Sequence, residues 1–293
     1  MKKLNINDKL YPIRLRNIPD APTNLYLEGN IELLNSFSIA IIGSRAASEN
    51  GKSLAKKFSY ELSNIGITII SGLARGIDTA AHTNSYNQTG KTIAILGCGF
   101  NKIFPPENSV LLKKIVENDG LIVSEYSPDI SVSSDRLRDR NRIISGLSLG
   151  VLVIEAKQKS GTGVTFNHAI KQHKPIFAIP HAIDDPHGIG TNRMLKNGAF
   201  LVTDTLDILN KLKLTEFKEI YKKNKKSNIL NKRNCNFSDS KQELIFNLLN
   251  DKPISANDLS RKSGYSVSEV LSTLFILEMN GCIKKVQGGY ICM

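Results

Sequence analysis

No stretch of this 293-residue chain approaches the roughly 18 consecutive apolar residues that a bilayer span needs. The opening segment, residues 1–8, loses its apolar character too soon for a secretory h-region, so a cytoplasmic location is expected and no membrane partner. Cysteine is scarce: Cys98, Cys235, Cys282 and Cys292 form no CxxC pair, which offers neither a zinc ribbon nor a redox motif, and reduced thiols are expected. The common nucleotide signatures are missing too. There is no GxxxxGK[ST], the first βα turn is not GxGxxG, and Gly97-Cys98-Gly99 is a lone GxG. Acidic residues are in deficit, 27 against 39 Lys and Arg, for a formal charge of +12. That balance suits a polyanionic partner, although surplus lysine also serves as a plain solvated face.

What is present is a regular alternation. Between residues 37 and 212, short β-branched runs alternate with amphipathic stretches, the pattern of βα units around a parallel sheet. Strands are predicted at 38–42, 67–70, 92–96, 121–124, 151–154, 176–179 and 200–202. They are solidly apolar, as strands covered on both faces should be. Helices are predicted at 48–64, 76–86, 108–118, 139–148, 164–172, 191–197 and 204–212. The expected fold is α/β, an extended Rossmann-like doubly wound parallel sheet. Residues 1–36 read as an N-terminal extension. Residues 213–236 read as a flexible basic linker, since 210–233 holds nine basic and two acidic residues with little apolar periodicity after Tyr221. Residues 237–293 read as a small winged-helix-like domain: helices at 240–249, 255–262 and 266–279, then two short strands around Gly288-Gly289. Ser266 and Glu269 form a capping-box pattern on the third helix. That helix carries no Lys or Arg, so a packing or partner surface is expected of it rather than groove reading.

The loops after the strands are rich in Gly, Ser and cationic residues, and in open α/β sheets such loops line the ligand crevice. Gly43-Ser44-Arg45 pairs small residues, which let backbone N–H groups reach an anion, with a guanidinium clamp. Residues 71–78 repeat the arrangement with Ser71, Gly72 and Arg75. Residues 138–146 place Arg138, Arg140 and Arg142 at alternate positions around Asn141. Residues 157–165 contribute Lys157, Lys159, Ser160, Gly161 and Thr165 ahead of a helix. Converging on one sheet edge, these loops describe a groove several phosphates long rather than a single-phosphate pocket. A metal is not expected, because His181, Asp184, Asp185 and His187 lack any standard ligand spacing. His82, one turn past Asp78, reads as its structural partner rather than a general base. No catalytic triad can be assembled, and no cofactor is expected.

Taken in order, residues 39–45, 71–82, 94–99, 124–126, 140–148, 153–156 and 190–199, with Tyr11-Pro12 and Asp20-Ala-Pro22, resemble the DprA/Smf family of DNA-processing proteins over about residues 10 to 205. The resemblance implies a non-catalytic homodimer that binds single-stranded DNA, protects incoming strands and helps load the recombinase RecA during natural transformation or recombination. The sequence departs from the family in places. Leu137-Arg138 stands where members commonly have Phe-Pro, so no aromatic base contact is implied there. Pro180-His181 replaces a Pro-Gly, and the helical domain that often precedes the family's Rossmann-like domain is not expected. Two rival readings are an enzyme resembling nucleotide phosphoribohydrolases, disfavoured because residues 164–168 lack a carboxylate, and an adaptor acting through the apolar third helix of the tail.

Overall fold

A computed structural model describes residues 1–157, 161–233, 237, 239–249 and 253–292, with the side chains of 226–233 left aside. The chain forms two compact units, Met1–Ile220 and Tyr221–Met293. The first is built on a nine-stranded sheet. Its strands are β1 (Lys2–Asn5), β2 (Asn24–Gly29), β3 (Ser38–Ile42), β4 (Thr68–Ser71), β5 (Thr92–Leu96), β6 (Leu121–Ser124), β7 (Gly150–Val153), β8 (Ile176–Ala178) and β9 (Phe200–Leu201). The spatial order is β1-β2-β6-β5-β4-β3-β7-β8-β9. All neighbours from β6 to β9 run parallel; only β2 runs against its neighbours. The helices are α1 (Ile13–Arg16), α2 (Glu49–Asn64), α3 (Ile77–Ser85), α4 (Ser109–Glu117), α5 (Ser134–Asp139), α6 (Asn141–Leu147), α7 (Thr162–Lys171), α8 (Ile189–Lys196), α9 (Thr205–Lys211) and α10 (Thr215–Arg233).

Alternation along the strands fills both faces of the sheet. Ile93 and Ile95 of β5 join Ile143, Ile144, Val151 and Val153 in one core. Ala94 and Leu96, one residue out of phase, join Ile115 of α4 in another. From β3 the chain winds outward through β4, β5 and β6, then returns past β3 to β7 and winds the other way. The doubly wound topology therefore reverses between β3 and β7, whose ends lie level, with Ile42 opposite Val153.

Two expectations need correction. Residues 1–36 are not an extension apart from the domain: β1 and β2 extend its sheet, and Tyr11, Leu15 and Ile18 lie in its core. Residues 215–233 are helix α10 rather than an irregular linker. Most of its described side chains are exposed, which is why apolar periodicity did not reveal it.

The second unit matches the winged-helix outline. Helices α11 (Ser240–Leu248), α12 (Ala256–Ser263) and α13 (Val267–Met279) precede an antiparallel hairpin of β10 (Ile283–Val286) and β11 (Gly289–Cys292). The capping box of Ser266 and Glu269 is present. Val270, Leu274 and Leu277 of α13 enter the small core, whereas Leu271, Phe275 and Met279 are exposed. Cys98 is a buried free thiol. Cys282 is disulfide-bonded, contrary to the reduced state expected of it, and Cys235 lies outside the described residues.

Candidate functional site

A cleft of about 420 Å³ opens at the carboxyl edge of the sheet, where the topology reverses. Such a reversal leaves a crevice because the flanking connections depart to opposite faces. Its lining includes Gly43, Ser44, Arg45 and Ala46 from the loop after β3 and Lys157, Gly161, Thr162 and Thr165 from the segment after β7. Ser134, Leu137, Arg138, Arg140 and Asn141, from α5 and the start of α6, line it as well, together with Ala74 and Asp78. The loops thus share one rim.

The rim is cationic. Arg45 and Lys157 are exposed, and neither makes a hydrogen bond or ion pair with any described residue. Arg138 is also exposed, held only by a 3.4 Å surface contact to Asp135, a pair of little energetic weight. Helix α7 has Gly161 at its N-cap, with no side-chain cap from any described residue, and Gly161, Thr162 and Thr165 bring that positively polarised end to the cleft. Helix α2 differs. The buried carboxylate of Glu155 accepts from the backbone N–H of Ser48 at 3.0 Å and from its hydroxyl, which fills that helix N-terminus from within the protein.

The turn after β4 is organised internally. Ser71 is buried and donates its hydroxyl to the Ile41 carbonyl at 2.7 Å. Asp78 accepts from the Gly72 and Ala74 N–H groups at 3.1 and 3.4 Å. Leu73, at φ 58°, donates its N–H to Nε2 of His82 at 3.3 Å. Thr92 gives its hydroxyl proton to the Ile69 carbonyl, so it accepts from Nδ1 of His82 at 2.8 Å. His82 is accordingly neutral, and burial lowers its pKa to about 3. It supports Leu73 rather than Asp78. Two glycines make the crowding possible. A Cβ on Gly72 would lie 2.2 Å from the Arg140 guanidinium, and Gly76, at φ 75°, lets the Ser44 carbonyl pass at a distance a Cβ would block.

The sequence-derived candidates therefore divide. Gly43, Ser44, Arg45, Asn141, Lys157, Gly161 and Thr165 come together in the cleft. Arg140 reaches it but is buried, and its guanidinium donates to the carbonyls of Gly72 and Ile95. Burial lowers its pKa to about 10, which leaves it charged at neutral pH; burial also lifts the Asp78 carboxyl above the ordinary range, against the pull of Arg140. Ser71, Gly72 and Arg75 do not line the cleft, and Arg75 is paired with Glu107. Arg142 is turned away: it grips Glu125 through two hydrogen bonds of 2.6 and 2.9 Å and donates to the Asp20 carbonyl. Lys159 and Ser160 lie outside the described residues. Arg138, the first of the three alternate arginines, belongs to the rim. Among the described residues no group of three or more His, Cys, Asp or Glu side chains is arranged to hold a metal, and no helix is long and apolar enough to cross a membrane.

Comparison with known proteins gives a consistent result. The family described as DNA recombination-mediator protein A matches residues 2–213, and the DprA winged helix domain matches residues 237–289. Protein Smf of Escherichia coli is 36% identical over 297 residues, covering 97% of this chain and 75% of its own. DNA processing protein DprA of Streptococcus pneumoniae is 41% identical over 205 residues, 70% of this chain and 72% of its own. The crystal structure of that pneumococcal protein aligns with a TM-score of 0.68 at 40% identity, over 71% of this chain and 73% of its own. DNA processing protein A from Helicobacter pylori, whose structure addresses its single-stranded DNA binding mode, aligns with a TM-score of 0.65 at 30% identity, over 72% and 96%.

Proposed function

Since the chain belongs to the DNA recombination-mediator protein A family, we propose that its sheet-edge cleft binds single-stranded DNA through the phosphates. The observation that carries this reading is that Arg45, from the loop after β3, and Lys157, from the loop after β7, line one cleft at the topological reversal with no partner among the described residues. Arg138 adds a third cation, and the uncapped start of α7 offers backbone N–H groups, the usual equipment of an anion site. Ser44, Asn141 and Thr165 supply further polar lining. A rim of this kind grips a backbone without reading sequence, so binding is expected to be tolerant of sequence and steep in salt. The related Helicobacter pylori protein is itself described by its single-stranded DNA binding mode, which supports the same partner here.

The reading extends to a homodimer in the cytoplasm that protects incoming strands and helps load RecA in transformation or recombination. The family's description as a recombination mediator supports the role in recombination, and the rest of this reading rests on the resemblance. It also assigns the protein no catalysis. Asp78 is the carboxylate lining the described cleft, and its acceptor oxygen is engaged by the Gly72 and Ala74 N–H groups, a poor position for a general base.

Fluorescence anisotropy of a labelled oligonucleotide across a salt series tests the cleft. Arg45→Ala should weaken binding by about tenfold and reduce the slope of log K against log salt by roughly 0.7, the share of one phosphate contact on a single strand. Unchanged affinity and slope would reject the assignment.

A further inference from the structure

Beside the cleft lies a smaller recess of about 70 Å³ with a different character. Phe104, Pro105 and Leu137 give it apolar walls, and Arg45 and Arg75 stand at its border. Arg45, Leu137 and Arg140 line both spaces, so the recess opens directly off the cationic rim. Phe104 is 37% exposed although the segment that follows it is pinned. Asn108, buried, donates to the Leu73 carbonyl at 2.7 Å and to the Thr79 hydroxyl at 2.9 Å. Arg75 and Glu107 form a second tie between the same two segments. A partly exposed aromatic side chain lining a recess together with guanidinium groups suits a flat, polarisable ring and does not suit a phosphate.

We infer that this recess takes an unstacked nucleobase of the strand whose phosphates occupy the cleft, with Phe104 as the stacking platform. The inference rests on the phosphate reading above and adds to it a second kind of contact. It assigns an aromatic contact to Phe104 although position 137 carries leucine, so base stacking enters from the loop after β5 rather than from the segment before Arg140. Because every base has a π-face, the contact adds affinity without selecting sequence.

The full-length protein tests this with two labelled strands of equal length, oligo-dT and an abasic deoxyribose-phosphate chain. Phe104→Ala should weaken oligo-dT binding by on the order of tenfold, the scale of one base–aromatic stack, and leave both the abasic strand and the salt slope unchanged. Phe104→Tyr should restore oligo-dT binding. Arg45→Ala is the control and should weaken both strands. If Arg45→Ala weakens binding while Phe104→Ala leaves oligo-dT unaffected, or lowers both strands equally, the stacking inference is overturned and the phosphate reading stands. If Arg45→Ala alters neither strand, the phosphate reading falls and takes the inference with it. The chain contains no tryptophan, so Phe104→Trp provides a single reporter that does not depend on the alanine variant folding. Its emission should be quenched by oligo-dT and not by the abasic strand; no quenching by oligo-dT overturns the inference.

Discussion

At the scale of single residues, burial decides which polar groups serve the fold and which remain for a ligand. His82 is the sharpest case. In the unfolded chain its imidazole takes up a proton near the ordinary histidine value of 6.5, whereas in the folded protein burial delays this to about 3. Between those values the unfolded chain binds more protons, so stability rises with pH across that window and is lost on acidification, by up to ~1.4 kcal/mol per pH unit. Asp78, lifted by burial, acts in the opposite sense, so the comparison must be made against a variant. Urea unfolding at about pH 7 and about pH 4.5 should show His82→Gln to be less stable than the wild type at the higher pH but to lose less on going to the lower one. Equal losses in the two proteins would remove His82 from the account. The same distinction explains what was legible. Arg45 and Lys157 follow apolar strands directly, and that spacing alone puts them at the sheet edge. Nothing local marks Arg142 as the partner of Glu125 or Arg140 as a buried brace, because their partners come from other loops.

At the scale of elements, the parallel strands and most helices announced themselves through apolar runs and caps. Strands β1 and β2 escaped. Yet β2 alternates cleanly, with Leu25 and Leu27 buried between partly exposed Asn24 and Tyr26, the pattern of a strand near a sheet edge. The motif around Glu155 has an element-level reason that its sequence does not disclose: from just past β7 the carboxylate holds Ser48, the N-cap of the 16-residue helix α2, whose hydroxyl accepts from the Gly51 N–H. It thereby fixes the loop bearing Arg45 relative to the loop bearing Lys157. Glu155→Ala would leave the Ser48 N–H without its acceptor in a buried setting, at about 1–3 kcal/mol. Thermal or urea unfolding should register that loss, together with weaker oligonucleotide binding as the two loops lose their common anchor. A variant of unaltered stability would show that water serves Ser48 equally well.

At the scale of the whole molecule, the net charge of +12 favours encounter with any polyanion, so the location of the charge matters more than its sum. Every residue that lines the cleft falls between positions 42 and 165. The tail has a core of its own, built from Ile245, Leu259, Leu274 and Ile283 among others, and its helix α13 offers exposed Leu271, Phe275 and Met279 but no cation. A helix without phosphate donors has little to give a nucleic acid. Removing residues 237–293 should therefore change the affinity for a short single-stranded oligonucleotide by less than about threefold and leave the salt slope as it was, since that slope counts phosphate contacts rather than overall charge. The basic helix α10 stays in such a variant, which keeps its diffuse attraction constant across the comparison. A loss of tenfold or more, with a shallower slope, would mean that the winged-helix unit holds phosphates itself, and the cleft would then be one part of a longer binding path.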